Sequence, residues 1–302
     1  MMKIIFIIIF IVISLFAEVL PYSLTTNNTQ NNRYIKILDV KKLVFNDIHE
    51  LSGLAYKNNN LYALSDRGLV YRFGCDIKQN KIQTLVFKEK YILRNKKLKR
   101  FKKKKRDSEG LCLYKDDFLI SFERKNRVLL FSSDGIKIQN MKLNSLLENQ
   151  KKYQGSNKGL ESVAYSEQYG LITIPELPLK GSDLNYHTLY SRDKIWKFQA
   201  KGAAAVTDIA FRDRDRLLVL LREYSYLTQQ RKTSLIEVKL DECNKKRICK
   251  SRLIADLDSR YGWEIDNFEG LAKVGKNRFL MISDDNNNFF QKTLLVLFEI
   301  MN

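Results

Sequence analysis

Five pairs of acids recur along this 302-residue chain, each pair bracketing two short apolar runs joined by a polar turn. They are Glu50 and Asp66, Glu109 and Glu123, Glu161 and Glu176, Asp208 and Glu223, and Glu269 and Asp284. Within a pair the acids lie 16, 14, 15, 15 and 15 residues apart, whereas successive first acids are 59, 52, 47 and 61 residues apart. A steady inner spacing inside a looser outer one marks a structural repeat. Carboxylates gathered in this way suit two kinds of chemistry: holding a hard cation through oxygen ligands, or exchanging protons with a substrate. Crowded acids raise one another's pKa unless positive charge sits among them. Arginine is at hand, since Arg67 follows Asp66, Arg124 follows Glu123 and Arg222 precedes Glu223.

Such pairs need elements to position them. "FLISF", "GLITI" and "LLVLL" read as strands, and "KNNN", "SEQY" and "RDRD" as turns. Each pair therefore closes an antiparallel hairpin, in which the residue before the first strand lies beside the residue ending the second. Further strand-like runs follow, among them "LVYRF", "QTLVF", "RVLLF" and "SLIEVKL". Four strands per repeat predict an all-β fold, a β-propeller of four-stranded antiparallel blades. The count favours five blades, with a sixth, diverged blade as the alternative. The last repeat carries "TLLVLFEI" but lacks a strand, which "RYIKILDV" near the N-terminus is expected to supply, closing the ring. With the hairpins as inner halves of the blades, up to ten carboxylates converge on one mouth of the channel.

Roles follow from that convergence. Glu50, Glu109, Glu161, Glu269 and Asp284 are read as ligands for Ca²⁺ or Mg²⁺. The alternative for the first acids is that each accepts backbone N–H bonds from the next blade and staples the ring. Glu123 or Glu223 would act as general base, with Arg124 and Arg222 clamping an anionic substrate. Arg67, Asp66, Ser283 and Asn286 are expected to touch that substrate. The run "KKLKRFKKKKR" at 96–106 holds nine of the cations behind a formal charge of +19. It is expected to overhang the same mouth and draw anions there, or else to be a solvated loop.

At the N-terminus, Lys3, the apolar run Ile4–Phe16 and Ala17 have the layout of a secretory signal peptide over 1–17. A linker over 18–33 and the propeller over 34–302 complete the expected organisation. The 13-residue apolar run falls short of the roughly 20 residues a bilayer span needs. A periplasmic or secreted protein with no stable membrane span is therefore expected, and a nucleic-acid partner is not. Its oligomeric state is not legible. Hydrophobic residues at 44% exclude a disordered chain. Cys243 and Cys249 flank a short loop that a disulfide can close, while Cys75 and Cys112 read as small buried groups. With only His49 and His187 present, histidine-based zinc or phosphohistidine sites are not expected, and neither a P-loop nor a nucleophile elbow occurs.

The stretches "ELSGLAY", "DSEGLCL", "NKGLESVAY" and "DNFEGLA" resemble the phytase-like family, also described as esterase-like activity of phytase. The resemblance runs from Val44 to Ile300, and "NKGLES" and "FEGLA" are its most specific parts. It implies an exported bacterial hydrolase acting on phytate or a related phosphoester; the alternative is a non-catalytic propeller of the cell envelope that binds a ligand or a partner protein. It also implies that Glu161, Glu109 and Glu269 belong to the site. The fourth repeat departs from the pattern, having "TDIAF" with Asp208 where the others have a glutamate.

Overall fold

A computed structural model describes residues 18–25, 34–200 and 204–301, so the expected signal peptide at 1–17 lies outside the described residues. Five antiparallel sheets form a ring of five blades. The first is β3 (Leu51–Lys57), β4 (Asn60–Ser65), β5 (Leu69–Lys78) and β6 (Lys81–Ile92). The second is β7 (Ser108–Tyr114), β8 (Asp117–Phe122), β9 (Arg127–Phe131) and β10 (Lys137–Asn140). The third is β11 (Leu160–Ser166), β12 (Gly170–Pro175), β13 (Tyr186–Tyr190) and β14 (Ile195–Gln199). The fourth is β15 (Ala205–Phe211), β16 (Arg216–Ser225), β17 (Gln230–Cys243) and β18 (Cys249–Asp258). The fifth joins β19 (Asn267–Lys273), β20 (Arg278–Asp284) and β21 (Thr293–Ile300) to β2 (Ile35–Leu43) from the N-terminal side. Closure by an N-terminal strand is thus as expected, and the sixth blade is not needed. Within the stretch expected as linker, β1 (Val19–Pro21) adds a fifth strand outside β2.

The blades stack through apolar faces on both sides, which is why the strands read as continuous rather than alternating apolar runs. In "LLVLL", Leu218 and Leu220 pack with Phe279 and Met281 of the fifth blade. Leu217, Val219 and Leu221 pack with Ile172 and Ile174 of the third. Each fully buried leucine here contributes about 2 kcal/mol of transfer free energy. The disulfide between Cys243 and Cys249 joins β17 to β18, and Cys75 is buried and Cys112 half-buried as free thiols.

One irregularity recurs in every innermost strand. The ladder between first and second strand slips at Ser52, Glu109, Glu161, Thr207 and Glu269. A bulge leaves one residue outside the pairing and re-aims its side chain. In three blades a glycine follows the bulge. A Cβ on Gly110 would lie 2.5 Å from the Cα of Ser162, and one on Gly53 would lie 2.8 Å from the Glu109 carbonyl oxygen. The glutamate–glycine pair therefore does two jobs: the glycine lets adjacent innermost strands touch, and the bulge turns the glutamate.

Candidate functional site at the acidic mouth

Two layers of side chains ring one end of the channel. The deeper layer is the bulge residues: Ser52, Glu109, Glu161, Thr207 and Glu269. The outer layer follows from the register beyond them. Asp66 donates its N–H to the Glu50 carbonyl, Glu123 to that of Asp107 and Glu176 to that of Gly159. The equivalent pairings in the last two blades are Arg222 with Ala205 and Asp284 with Asn267. The outer layer is thus Asp66, Glu123, Glu176, Arg222 and Asp284: four carboxylates and one arginine.

This register moves two expected residues. Ser52, not Glu50, stands at the bulge of the first blade, and Glu50 lies on the outer rim in an ion pair with Arg67. Thr207, not Asp208, stands at the bulge of the fourth blade. Asp208 is buried and accepts N–H bonds from Ile209 (2.8 Å) and Leu271 (2.7 Å), the second in the next blade. That is the stapling role held as the alternative. Ser52 and Thr207 also staple, donating to the carbonyls of Ser108 (2.8 Å) and Phe268 (3.1 Å).

The acids that remain crowd one another. Burial, then Glu269, Glu123 and Asp107, push Glu109 well above the usual carboxylate range. Burial, then Glu109 and Glu176, do the same to Glu161. Glu123 is raised to about 7 by burial and by Asp107 and Glu176, and Asp66 to about 7 by burial and by Glu50 and Asp107. Asp284 is raised by burial and Glu269 although it accepts the Asn286 N–H at 2.8 Å. One oxygen of Asp66 is buried without a hydrogen-bond partner.

Two triads bring their oxygens within 4.8 Å of one another: Asp107, Glu109 and Glu123, and Glu123, Glu161 and Glu176. Glu123 belongs to both. These all-oxygen sets, able to hold a metal, match a hard cation better than a soft one. The positive charge lies to one side. Lys158 reaches Glu176 at 2.8 Å, and Arg222 reaches the same Glu176 oxygen at 3.5 Å. Arg222 also donates to Glu269 and Asn267. Beside them opens a cleft of about 970 Å³ over the third to fifth blades, lined in part by Lys158, Arg222, Arg231, Lys232 and Asn286.

Other expected residues lie further out. Arg124 pairs with Asp107 (2.5 Å) on the rim. Glu223 follows Arg222 on the cleft wall, its side chain 41% exposed and paired with Lys232 at 3.3 Å. Ser283 is buried, its hydroxyl donating to the Lys292 carbonyl and accepting from the Leu294 N–H. His49 bridges Asp285 (2.8 Å) and the Asn46 carbonyl (2.9 Å), a structural hydrogen-bonder. The basic run stands on the acidic-mouth face, where Arg100 donates to the Arg67 carbonyl at 3.2 Å. Asp107, Glu176, Lys158 and Asn267 complete the site although none was singled out as a site residue. Glu176 was legible as a hairpin end and Lys158 as part of "NKGLES".

The opposite end of the channel is lined by apolar side chains together with Tyr56, Tyr165 and Lys273. Its cavity of about 190 Å³ is lined by Leu54, Leu111, Val163, Ile209 and Leu271, one from each innermost strand, among others.

The description "Esterase-like activity of phytase", of the phytase-like family, matches residues 46–287. No curated protein matches the sequence. Among solved structures, the chain is similar to a member of the duf4221 family from Bacteroides vulgatus. The two share 11% identity, with 90% of this chain and 100% of that one covered, at a TM-score of 0.45. It is also similar to glutaminyl cyclase of Myxococcus xanthus, at 9% identity, 89% and 97% coverage and a TM-score of 0.49.

Proposed function

The chain belongs to the phytase-like family, and from that premise we propose that it is an exported, metal-dependent hydrolase of phosphoesters. The observation that carries this reading is the outer ring: four carboxylates broken at one blade by Arg222, with Lys158 alongside. Export, to the periplasm or beyond the cell, rests on the leader-like run at Ile4–Phe16.

The two triads sharing Glu123 would hold Ca²⁺ or Mg²⁺, offsetting the burial and mutual repulsion that raise Glu109, Glu123 and Glu161 above the usual carboxylate range. Glu50, Glu269 and Asp284 stand around them as further carboxylates of the same mouth. When bound, the cation supplies charge stabilisation at a phosphoryl oxygen and a more acidic water. Arg222 and Lys158 hold the phosphoryl group from the cleft side, while Arg67 and Arg124 pair with Glu50 and Asp107 on the opposite rim. Glu123, at the edge shared by the two triads, or Glu223 on the cleft wall takes the proton of the attacking water. The new P–O bond forms to that water oxygen, the ester P–O bond breaks, and the leaving oxygen takes a proton from solvent. Glu223 lines the path along which the leaving group departs, with Asn286 across the cleft.

The test is phosphate release from phytate and from an aryl phosphate, with and without chelator, from acid to neutral pH. Release that requires the cation and is lost in Glu123→Gln supports the reading. Absence of release in metal-replete buffer at every pH overturns it.

A further inference from the structure

Two loop tips stand beside the cleft and carry side chains that water does not favour. Tyr226 and Leu227 cap the β16–β17 hairpin and are 83% and 98% exposed. Phe289 and Phe290, between β20 and β21, are 95% and 84% exposed. Tyr226 and Phe290 line the same cleft, so the two tips are neighbours. The hairpin also projects. Its ladder continues past the rim residue Arg222 through Glu223, Tyr224 and Ser225, which raises the tip about 10 Å at roughly 3.3 Å per residue.

We propose that this face docks on an anionic lipid surface, with the two tips entering the headgroup region and the channel mouth held against it. Exposed apolar groups clustered at a rim mark an interaction site. Aromatic and aliphatic side chains flanked by Lys and Arg are the pattern of interfacial anchors, which seat to a depth of about 5–10 Å. The cations are present on the same face. Lys292 follows the second tip, while Arg231 and Lys232 after the first are paired with Asp266 (3.6 Å) and with Glu223 and Asp256 (3.3 Å each). Across the mouth stands the 96–106 run, with nine cations and no acid. A run of like charge is complemented by the spread negative potential of a lipid surface, where each Lys or Arg adds to the attraction. The slender tips suit insertion between headgroups, whereas a protein partner would meet a broad flat patch.

The experiment is co-sedimentation of the protein with vesicles of phosphatidylcholine alone and of phosphatidylcholine with phosphatidylglycerol. It needs no turnover and so stands apart from the hydrolase reading. Binding is expected to the anionic vesicles and to weaken as salt is raised. The variant Tyr226→Ser, Leu227→Ser, Phe289→Ser, Phe290→Ser should bind about tenfold or more weakly with its melting temperature unchanged. A protein that stays in the supernatant with anionic vesicles at low salt overturns the proposal, as does a variant that binds like the parent. A dimer abolished by the same substitutions would assign the patch to a second copy and overturn the lipid assignment.

Discussion

The second and fourth blades share one architecture and present opposite chemistry. At the bulge and the rim the second has Glu109 and Glu123, whereas the fourth has Thr207 and Arg222. In the fourth blade the polar groups are tied into the ring: Thr207 donates to Phe268, and Asp208 accepts from Leu271. In the second, Glu109 and Glu123 sit among other carboxylates and are pushed above the usual carboxylate range by burial and by those neighbours, Glu123 to about 7. The bulge sets where a side chain stands. The residue placed there decides whether the blade binds its neighbour or a ligand.

The largest effect that would sharpen this contrast is expected from Glu123→Gln. Both triads lose a shared ligand, so phosphate release should fall about a hundredfold or more. Calorimetry should show the calcium-dependent rise in melting temperature disappear while the metal-free protein remains folded, because a buried repulsion is also removed. A variant that keeps full turnover would end the distinction between the blades.

On the fourth blade, Arg222→Gln should leave Glu269 and Glu176 without their shared cation. Denaturant unfolding should register a loss of about 3 kcal/mol, the usual cost of breaking a largely buried pair. An unchanged midpoint would show that the arginine is there only for a ligand.

A smaller contrast sets Asp208→Asn against Glu109→Gln. The amide at 208 offers one acceptor where two N–H groups converge, which costs about 1–3 kcal/mol and should leave cation binding unaltered. At 109 the same chemical change should cost little stability and should weaken the cation. If the two variants exchange phenotypes, stapling and ligand roles have been assigned to the wrong blades.

The mildest test is pH. Asp66 and Glu123 have folded-state values of about 7 against ordinary values of 3.8 and 4.5. Between those limits the folded protein keeps protons that the unfolded chain has released. Metal-free stability should therefore decline as pH rises from about 4 to about 7. Melting curves in chelator should show this decline, and calcium should offset it most at the upper end. A metal-free midpoint that climbs across the interval would contradict the crowding of these acids.

Much of this was legible in the sequence because the hairpins are periodic and their strands, buried on both faces, read as unbroken apolar runs. Five blades and N-terminal closure followed from counting. What slipped was register. Counting from acid to acid treats Glu50 and Asp208 as equivalent to Glu109, yet the bulge lies two residues after the first and one before the second. Measured from the bulge to the rim, the spacings become 14, 14, 15, 15 and 15, tighter than the acid spacings, and Arg222 takes the place assigned to Glu223. A bulge has no strong residue signature, so only the glycines that often follow it gave a hint. Ser283 was misread for a related reason. A strand-end serine looks like a rim group, but its hydroxyl is already used by the Lys292 carbonyl and the Leu294 N–H.

The seam between β2 and β21 joins residues 35–43 to residues 293–300, nearly the whole described length apart. A nascent chain cannot finish its final blade until that last strand is free, so it spends synthesis as an open crescent. Glu109 and Glu269, neighbours across the finished mouth, belong to separate arms of that crescent. The acidic mouth, and the cation site proposed there, is therefore a property of intact molecules: losing Thr293–Ile300 would open the ring without touching Glu109, Glu123 or Glu161.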